Sequence, residues 1–253
     1  ESEIALMRHS AKIASQAHIQ AMSNTKPGVG EWQLEGIIEG LFKYCNTDGI
    51  SYPCIIGSGE NATILHYNVN NDTCNDGEVI LIDAGCEFEG YASDITRSWP
   101  VNGKFTPEQA EIYNIVLDAQ LAAIDKCRVG NPYDAPHNEA RKVLAEGLIR
   151  IGVIKQSLDE ALSTDGELNN WYMHGTGHWL GLDVHDVGVY RPNDKPRVFE
   201  EGMVITVEPG LYFGAWRPDV DCPKKYSNLG IRIEDDVLVT IDGPDVLSRD
   251  CPK

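Results

Sequence analysis

No stretch of this chain is apolar over the roughly 20 residues that a membrane-spanning helix requires, and none has the composition of a linker, a low-complexity spacer or a signal peptide. Basic residues are scarce: 21 Lys and Arg face 39 Asp and Glu, for a net charge of −18. That imbalance excludes nucleic acids and anionic membranes as partners, because phosphate contacts need clustered cations. Cysteine is present but unorganised. The seven residues are odd in number and include no CxxC spacing, so we expect reduced thiols in a cytoplasmic protein. Cys86 reads as a packing residue, since no base accompanies it in the sequence. No sequence repeat is visible either. What remains is a chain of 253 residues, 42% hydrophobic, long enough to bury one large core as a single unit.

Amphipathic stretches from about Ile4 to Met22 and from Glu31 to Tyr44 predict two helices, followed by a β-rich stretch from Tyr52 to Trp99. Thr106, Pro107 and Gln109 then carry a helix start, with Thr as N-cap, Pro at the first position and Gln at the third. Helical sequence runs on to Cys127 and again from about Asp134 to Ile151. Strands return near Tyr172.

The chemistry begins with carboxylates at strand ends. In VILIDAGCEFEGYASDITRSW an apolar run stops at Asp83, and a turn near Glu87 to Gly90 sends the chain back toward Asp94. A regular hairpin centred between Phe88 and Glu89 sets the two acids face to face, their Cβ atoms roughly 5 Å apart. An Asp beside a turn is ordinarily a solvated or capping group, but two facing carboxylates repel unless cations lie between them. A pair of divalent ions about 3.5 to 4 Å apart fits such a gap. Glu208 ends the run MVITV before Pro209 and Gly210, and Glu234 sits in the alternating strand GIRIEDDVLVT. Alternation puts Ile231 and Ile233 on one face of that strand and Arg232 and Glu234 on the other, where Arg232 can brace the acids. Four carboxylates balance two divalent cations, and oxygen and imidazole donors suit manganese, cobalt or zinc.

Three of the seven histidines fall in YMHGTGHWLGLDVHDVGVY, as His174, His178 and His185. A lone histidine is usually a surface or hydrogen-bonded residue. Here glycines at 175, 177 and 181 argue against helix, and in extended chain His174 and His178 share a face. His66 follows another β-rich run, in ATILHY.

Taken together, GSGENATILHY, LIDAGCEFEGYASDITRSWPVNGKFT, HGTGHWLGLDVHDVG, GMVITVEPGLY and GIRIEDDVLVT, in this order, resemble the aminopeptidase P (Xaa-Pro aminopeptidase) family of pita-bread metallopeptidases over nearly the whole chain. Prolidase, methionine aminopeptidase and creatinase share that fold. The resemblance implies an α+β architecture of two pseudo-symmetric halves around a curved antiparallel sheet. It implies two divalent metals, manganese first, on Asp83, Asp94, His178, Glu208 and Glu234. Catalytic contacts fall to His66, His185 and Glu208, and substrate contacts to His174, Tyr212 and Arg232. Members of this branch carry a further N-terminal domain, so residues 1–253 read as the catalytic domain alone, with homo-oligomerisation expected of a longer protein.

The implied reaction is attack on the bond before proline by a hydroxide bridging the metals. His185 would donate to the developing oxyanion, and Glu208 would carry the proton to the leaving proline nitrogen. Partners would be peptides with proline second. Prolidase, restricted to dipeptides, and methionine aminopeptidase are the near alternatives, the RIE context at Glu234 and the added His174 favouring the proline branch. A ligand-depleted module that only binds proteins is disfavoured by the complete ligand set. A dinuclear phosphoesterase is disfavoured by the few cations besides Arg232 and Arg97 that could hold a phosphate.

Overall fold

In the computed structural model, which describes residues 1–253, the chain opens with α1 (Ser2–Asn24) and α2 (Glu31–Tyr44), as the apolar spacing predicts. Short strands follow: β1 (Gly49–Ile50), β2 (Ile55–Ser58), β3 (Val79–Asp83), β4 (Cys86–Phe88), β5 (Tyr91–Ala92) and β6 (Thr96–Pro100). Helices α3 (Pro107–Asp125), α4 (Ala135–Arg150) and the short α5 (Leu158–Leu162) intervene. The chain then returns to strands in β7 (Val204–Val207), β8 (Gly210–Phe213), β9 (Leu229–Arg232), β10 (Asp235–Thr240) and β11 (Gly243–Val246). Every pairing is antiparallel, in small sheets ordered β1-β4-β5, β2-β3-β6, β11-β10-β7 and β8-β9. The predicted capping box starts α3: Thr106 Oγ1 accepts from the Gln109 N–H at 3.2 Å, and Gln109 Oε1 accepts from the Thr106 N–H at 2.9 Å. Both bonds satisfy donors that a helix start leaves orphaned.

Strand alternation decides where the acids go. Ile80 and Ile82 of β3 pack with Ala14, Ala17, Leu34 and Ile38 of the first two helices. Leu81 turns the other way, against Ile55 and Tyr212, and Asp83 shares its face. In the second half Ile231 and Ile233 pack among Ile112, Ile115, Leu144 and Leu148 of α3 and α4, which leaves Arg232 and Glu234 on the opposite face. Each helix pair thus covers the outer face of its own strands, and the carboxylates collect on the inner faces.

Three expectations are corrected. Asp83 pairs with Thr96, not Asp94, and the register continues through Glu87–Ala92 and Phe88–Tyr91, so the turn lies at Glu89 and Gly90, one residue later. Both turn residues have positive φ, 51° and 78°, as a two-residue type I′ turn requires. Asp94 is therefore diagonal to Asp83 but on the same face. Second, the strand around Glu234 is not continuous: β9 pairs with β8 and β10 with β7, and Glu234 lies in the break where the chain changes partner. Third, the next regular strand after Tyr172 begins only at Val204. The segment between is extended chain in its first part, docked on β7 through Thr206 N–H to His178 O (3.0 Å) and Glu208 N–H to Thr176 O (2.8 Å). Gly177 permits this approach, since a Cβ there would lie 1.9 Å from the Thr206 carbonyl oxygen.

Candidate metal centre

A cavity of about 490 Å³ opens where the inner faces meet, and Asp83, Asp94, His178, Glu208 and Glu234 all line it. Asp94, His178 and Glu234 each offer a ligand atom within 4.8 Å of the others. His178 Nε2 lies 3.3 Å from Asp94 Oδ2 and 3.8 Å from Glu208 Oε1. Its Nδ1 donates to the Trp179 carbonyl at 2.9 Å, which fixes the ring and leaves Nε2 as the nitrogen that faces the acids. Arg232 braces them as its strand position predicts: Nη2 donates to Asp83 Oδ2 at 2.7 Å and Nε to Thr96 Oγ1 at 3.1 Å. Thr96 in turn donates to Glu234 Oε2 at 2.5 Å.

Crowding shows in the protonation of the acids. Burial pushes Asp83 up to about 6, an effect that Arg232 opposes and Asp94 reinforces. Burial raises Glu208 to about 8 despite the nearby His178 and Arg232. Glu234 goes well above the ordinary carboxylate range through burial together with the charges of Asp94, Glu208 and Asp83. Asp94 alone falls below that range: burial opposes its ionisation, but the hydrogen bond and charge of His178 outweigh it. Burial likewise works against the His178 cation, yet Asp94 and Glu208 hold that imidazole up at about 9. Glu208 and Glu234 therefore keep their protons at neutral pH, because burial and the neighbouring acids outweigh His178 and Arg232. Carboxylate oxygens and one imidazole nitrogen form a donor set that fits hard or borderline divalent ions, and the cavity fits a metal site on that ground.

The remaining predicted residues divide between the cavity wall and the support behind it. His66, His174, His185 and Arg232 line the cavity. His185 stands edge-on to His178 with ring centroids 4.3 Å apart, and both it and His66 are exposed. His174 Nδ1 donates to the Gly175 carbonyl at 2.7 Å, and Nε2 accepts from the Tyr212 hydroxyl at 2.8 Å, whose oxygen accepts from Arg232 Nη1 at 3.0 Å. Burial, with Arg232 nearby, pushes His174 down to about 3. It is neutral, so its 3.7 Å approach to Glu208 is not an ion pair. Tyr212 is only 1% exposed and stands behind His174, off the cavity wall. Arg97 points away from the cavity to Asp235 Oδ1 (2.8 Å) and the Glu234 carbonyl (2.5 Å). Cys86 is buried among the residues of α1 and α2, and burial raises its thiol to about 11, consistent with packing.

Two further participants are not singled out by the sequence. The Tyr52 hydroxyl lies 2.6 Å from Asp83 Oδ1 and 2.5 Å from Asp94 Oδ1; its one proton serves two carboxylates. Asp236, 1% exposed, accepts from the Asp94 N–H at 3.2 and 3.3 Å. The one available signal for Asp236 was a doubled acid in an otherwise apolar strand, since buried acids need partners.

Residues 5–241 match the metallopeptidase family M24. The chain is 45% identical over 251 residues to the Xaa-Pro aminopeptidase of Escherichia coli (strain K12), an alignment covering 99% of this chain and 56% of that protein. Among solved structures, Pseudomonas aeruginosa aminopeptidase PepP superposes with a TM-score of 0.95 at 44% identity, covering 99% of this chain and 56% of that one. A variant of Escherichia coli aminopeptidase P in complex with substrate superposes with a TM-score of 0.94 at 44% identity, covering 100% and 56%. The chain therefore spans little more than half the length of these relatives.

Proposed function

We propose that this chain, which belongs to metallopeptidase family M24, carries the catalytic centre of an Xaa-Pro aminopeptidase, hydrolysing the bond between an N-terminal residue and a following proline. The observation that carries this is the convergence of Asp83, Asp94, His178, Glu208 and Glu234 on one cavity, with His66, His174 and His185 around them. Those five side chains would hold two divalent ions, manganese in first place and cobalt or zinc as substitutes, and residues 1–253 would be the catalytic domain of a longer, self-associating protein. Two halves of similar construction are supported by the matching helix pairs, α1 with α2 and α3 with α4, each backing strands that carry acids. No helix is long and apolar enough to cross a membrane, and seven unpaired cysteines favour the reducing cytoplasm.

Bound there, the ions supply a water that is nucleophilic at neutral pH and polarise the scissile carbonyl. The protein's own groups handle protons and charge. Glu208, which must give up its own proton to hold an ion, would then accept the water proton and deliver it to the proline nitrogen. His185, exposed beside His178, donates to the carbonyl oxygen as negative charge grows there. His174 is held neutral and oriented by Tyr212 and the Gly175 carbonyl, so it offers a fixed, uncharged wall to the substrate. Arg232 keeps Asp83 aligned and takes no part in proton transfer.

The test is hydrolysis of Xaa-Pro-Yaa, Xaa-Pro and Met-Ala-Yaa peptides by manganese-loaded protein. Cleavage of the first supports the proposal. Exclusive cleavage of the dipeptide would make the protein a prolidase, and of the Met-Ala peptide a methionine aminopeptidase.

A further inference from the structure

One buried acid takes no part in the centre described above. Glu31 opens α2, is 0% exposed, and spends its carboxylate on the segment that carries His66. Oε1 accepts from the Ser58 N–H at 2.9 Å and from Asn61 Nδ2 at 3.0 Å. Oε2 accepts from the Tyr67 hydroxyl at 2.8 Å and from the Asp72 N–H at 2.9 Å. All four partners are donors, which suits an acceptor-only carboxylate at a helix start. The backbone closes the same joint: the Glu31 N–H donates to the Asp72 carbonyl at 2.9 Å. One side chain therefore ties the beginning of this loop, Ser58 and Asn61, to its end, Tyr67 and Asp72. His66 sits at the exposed crest between them and faces the cavity. A second tie from the same helix repeats the design, with Asn70 Nδ2 donating to Glu35 Oε1 at 2.9 Å.

We propose that Glu31 is a positioning residue for His66: its carboxylate closes the loop over residues 58–72 and thereby fixes the imidazole at the cavity's edge. The inference rests on the aminopeptidase function proposed above, in which His66 acts on the substrate. An exposed side chain on a loop acquires a defined position only from the loop's own anchors, and misplacement by about 1 Å can cost on the order of a hundredfold in rate.

The experiment is a double-mutant cycle on the metal-loaded protein with an Xaa-Pro-Yaa peptide. Glu31→Gln keeps the shape but faces two of the four donors with an NH2 group. We expect kcat to fall roughly 10- to 100-fold with metal content unchanged, and the same change made in a His66→Ala protein to cost less than about twofold, since residues acting as a unit are non-additive. Equal losses in both backgrounds would mean general damage to the fold and would overturn the proposal. Amide hydrogen exchange gives a readout independent of turnover: the amides of residues 58–72 should exchange faster in Glu31→Gln, while those of β3 keep their protection. Unchanged exchange in the loop would equally overturn it. If the unsubstituted protein cleaves no proline peptide, the functional proposal fails while exchange still decides whether Glu31 anchors the loop. Tyr67→Phe removes one of the four bonds, guards against a Glu31 variant that does not fold, and should shift exchange in the same direction to a smaller extent.

Discussion

His178 aims Nε2 at Asp94 from 3.3 Å while its other nitrogen is tied to the Trp179 carbonyl, so the ring cannot turn away from the acids. His178→Ala should remove a ligand that nothing nearby replaces. We expect divalent-metal affinity to fall at least 10- to 100-fold, the range seen when even the supports of metal ligands are removed, with activity lost in parallel. Metal analysis after gel filtration, together with peptide hydrolysis on the same sample, checks this. Full metal content in the variant would remove His178 from the ligand set.

A different failure is expected for His185→Ala and His66→Ala. Neither ring is packed into the acid cluster, so both variants should keep their metals and melting temperature. His185→Ala should lose about 10²- to 10³-fold in kcat, as removal of an oxyanion donor does. His66→Ala should resemble it, with a raised KM as well. A His185→Ala protein that turns over at the normal rate contradicts the assignment.

The pH dependence has a definite sign. In metal-free protein Asp83 is raised to about 6, Glu208 to about 8 and His178 to about 9. Each binds its proton more tightly folded than unfolded. The stability they contribute is complete below the unfolded values and drains away as pH climbs through about 6 to 9. Asp94, shifted down, acts oppositely but only at acid pH. Metal binding displaces those same protons and strengthens over the same interval. The melting-temperature gap between manganese-loaded and chelated protein should therefore widen from pH 6 to pH 8.5. A gap that is constant or narrows would show that these groups do not bind the ion.

Tyr52→Phe tests the bridge that no motif announced. Without the hydroxyl, Asp83 and Asp94 lose a shared donor in a buried setting. The chelated protein should be destabilised by about 1–3 kcal/mol, whereas the loaded protein, in which cations neutralise both acids, should lose less. Thermal unfolding of both forms measures the difference. Equal losses would assign Tyr52 a packing role only.

Much of this was legible because alternation is a rigid rule. Ile231 and Ile233 against Arg232 and Glu234, or Thr106 with Gln109, follow from periods and caps that the chain cannot evade. The register of the Asp83 hairpin was less accessible: moving the turn by one residue needs Glu89 at positive φ, which side-chain type does not advertise. The break at Glu234 was hidden because its two flanking strands read as one apolar pattern, and only pairing partners divide them. Tyr52 and Glu31 stayed invisible for a third reason. Their partners lie far along the chain, and a hydrogen bond between distant residues leaves no local period.

The opposed faces of β3 also constrain how such a chain can change length. Inserting a single residue between Val79 and Asp83 would exchange the two faces downstream of it, driving the acid toward α1 and α2 and an isoleucine into the cavity. Core and cavity would fail in the same step. Length variation is therefore expected to be confined to exposed connections such as residues 191–195, while the strands bearing the acids diverge by substitution alone.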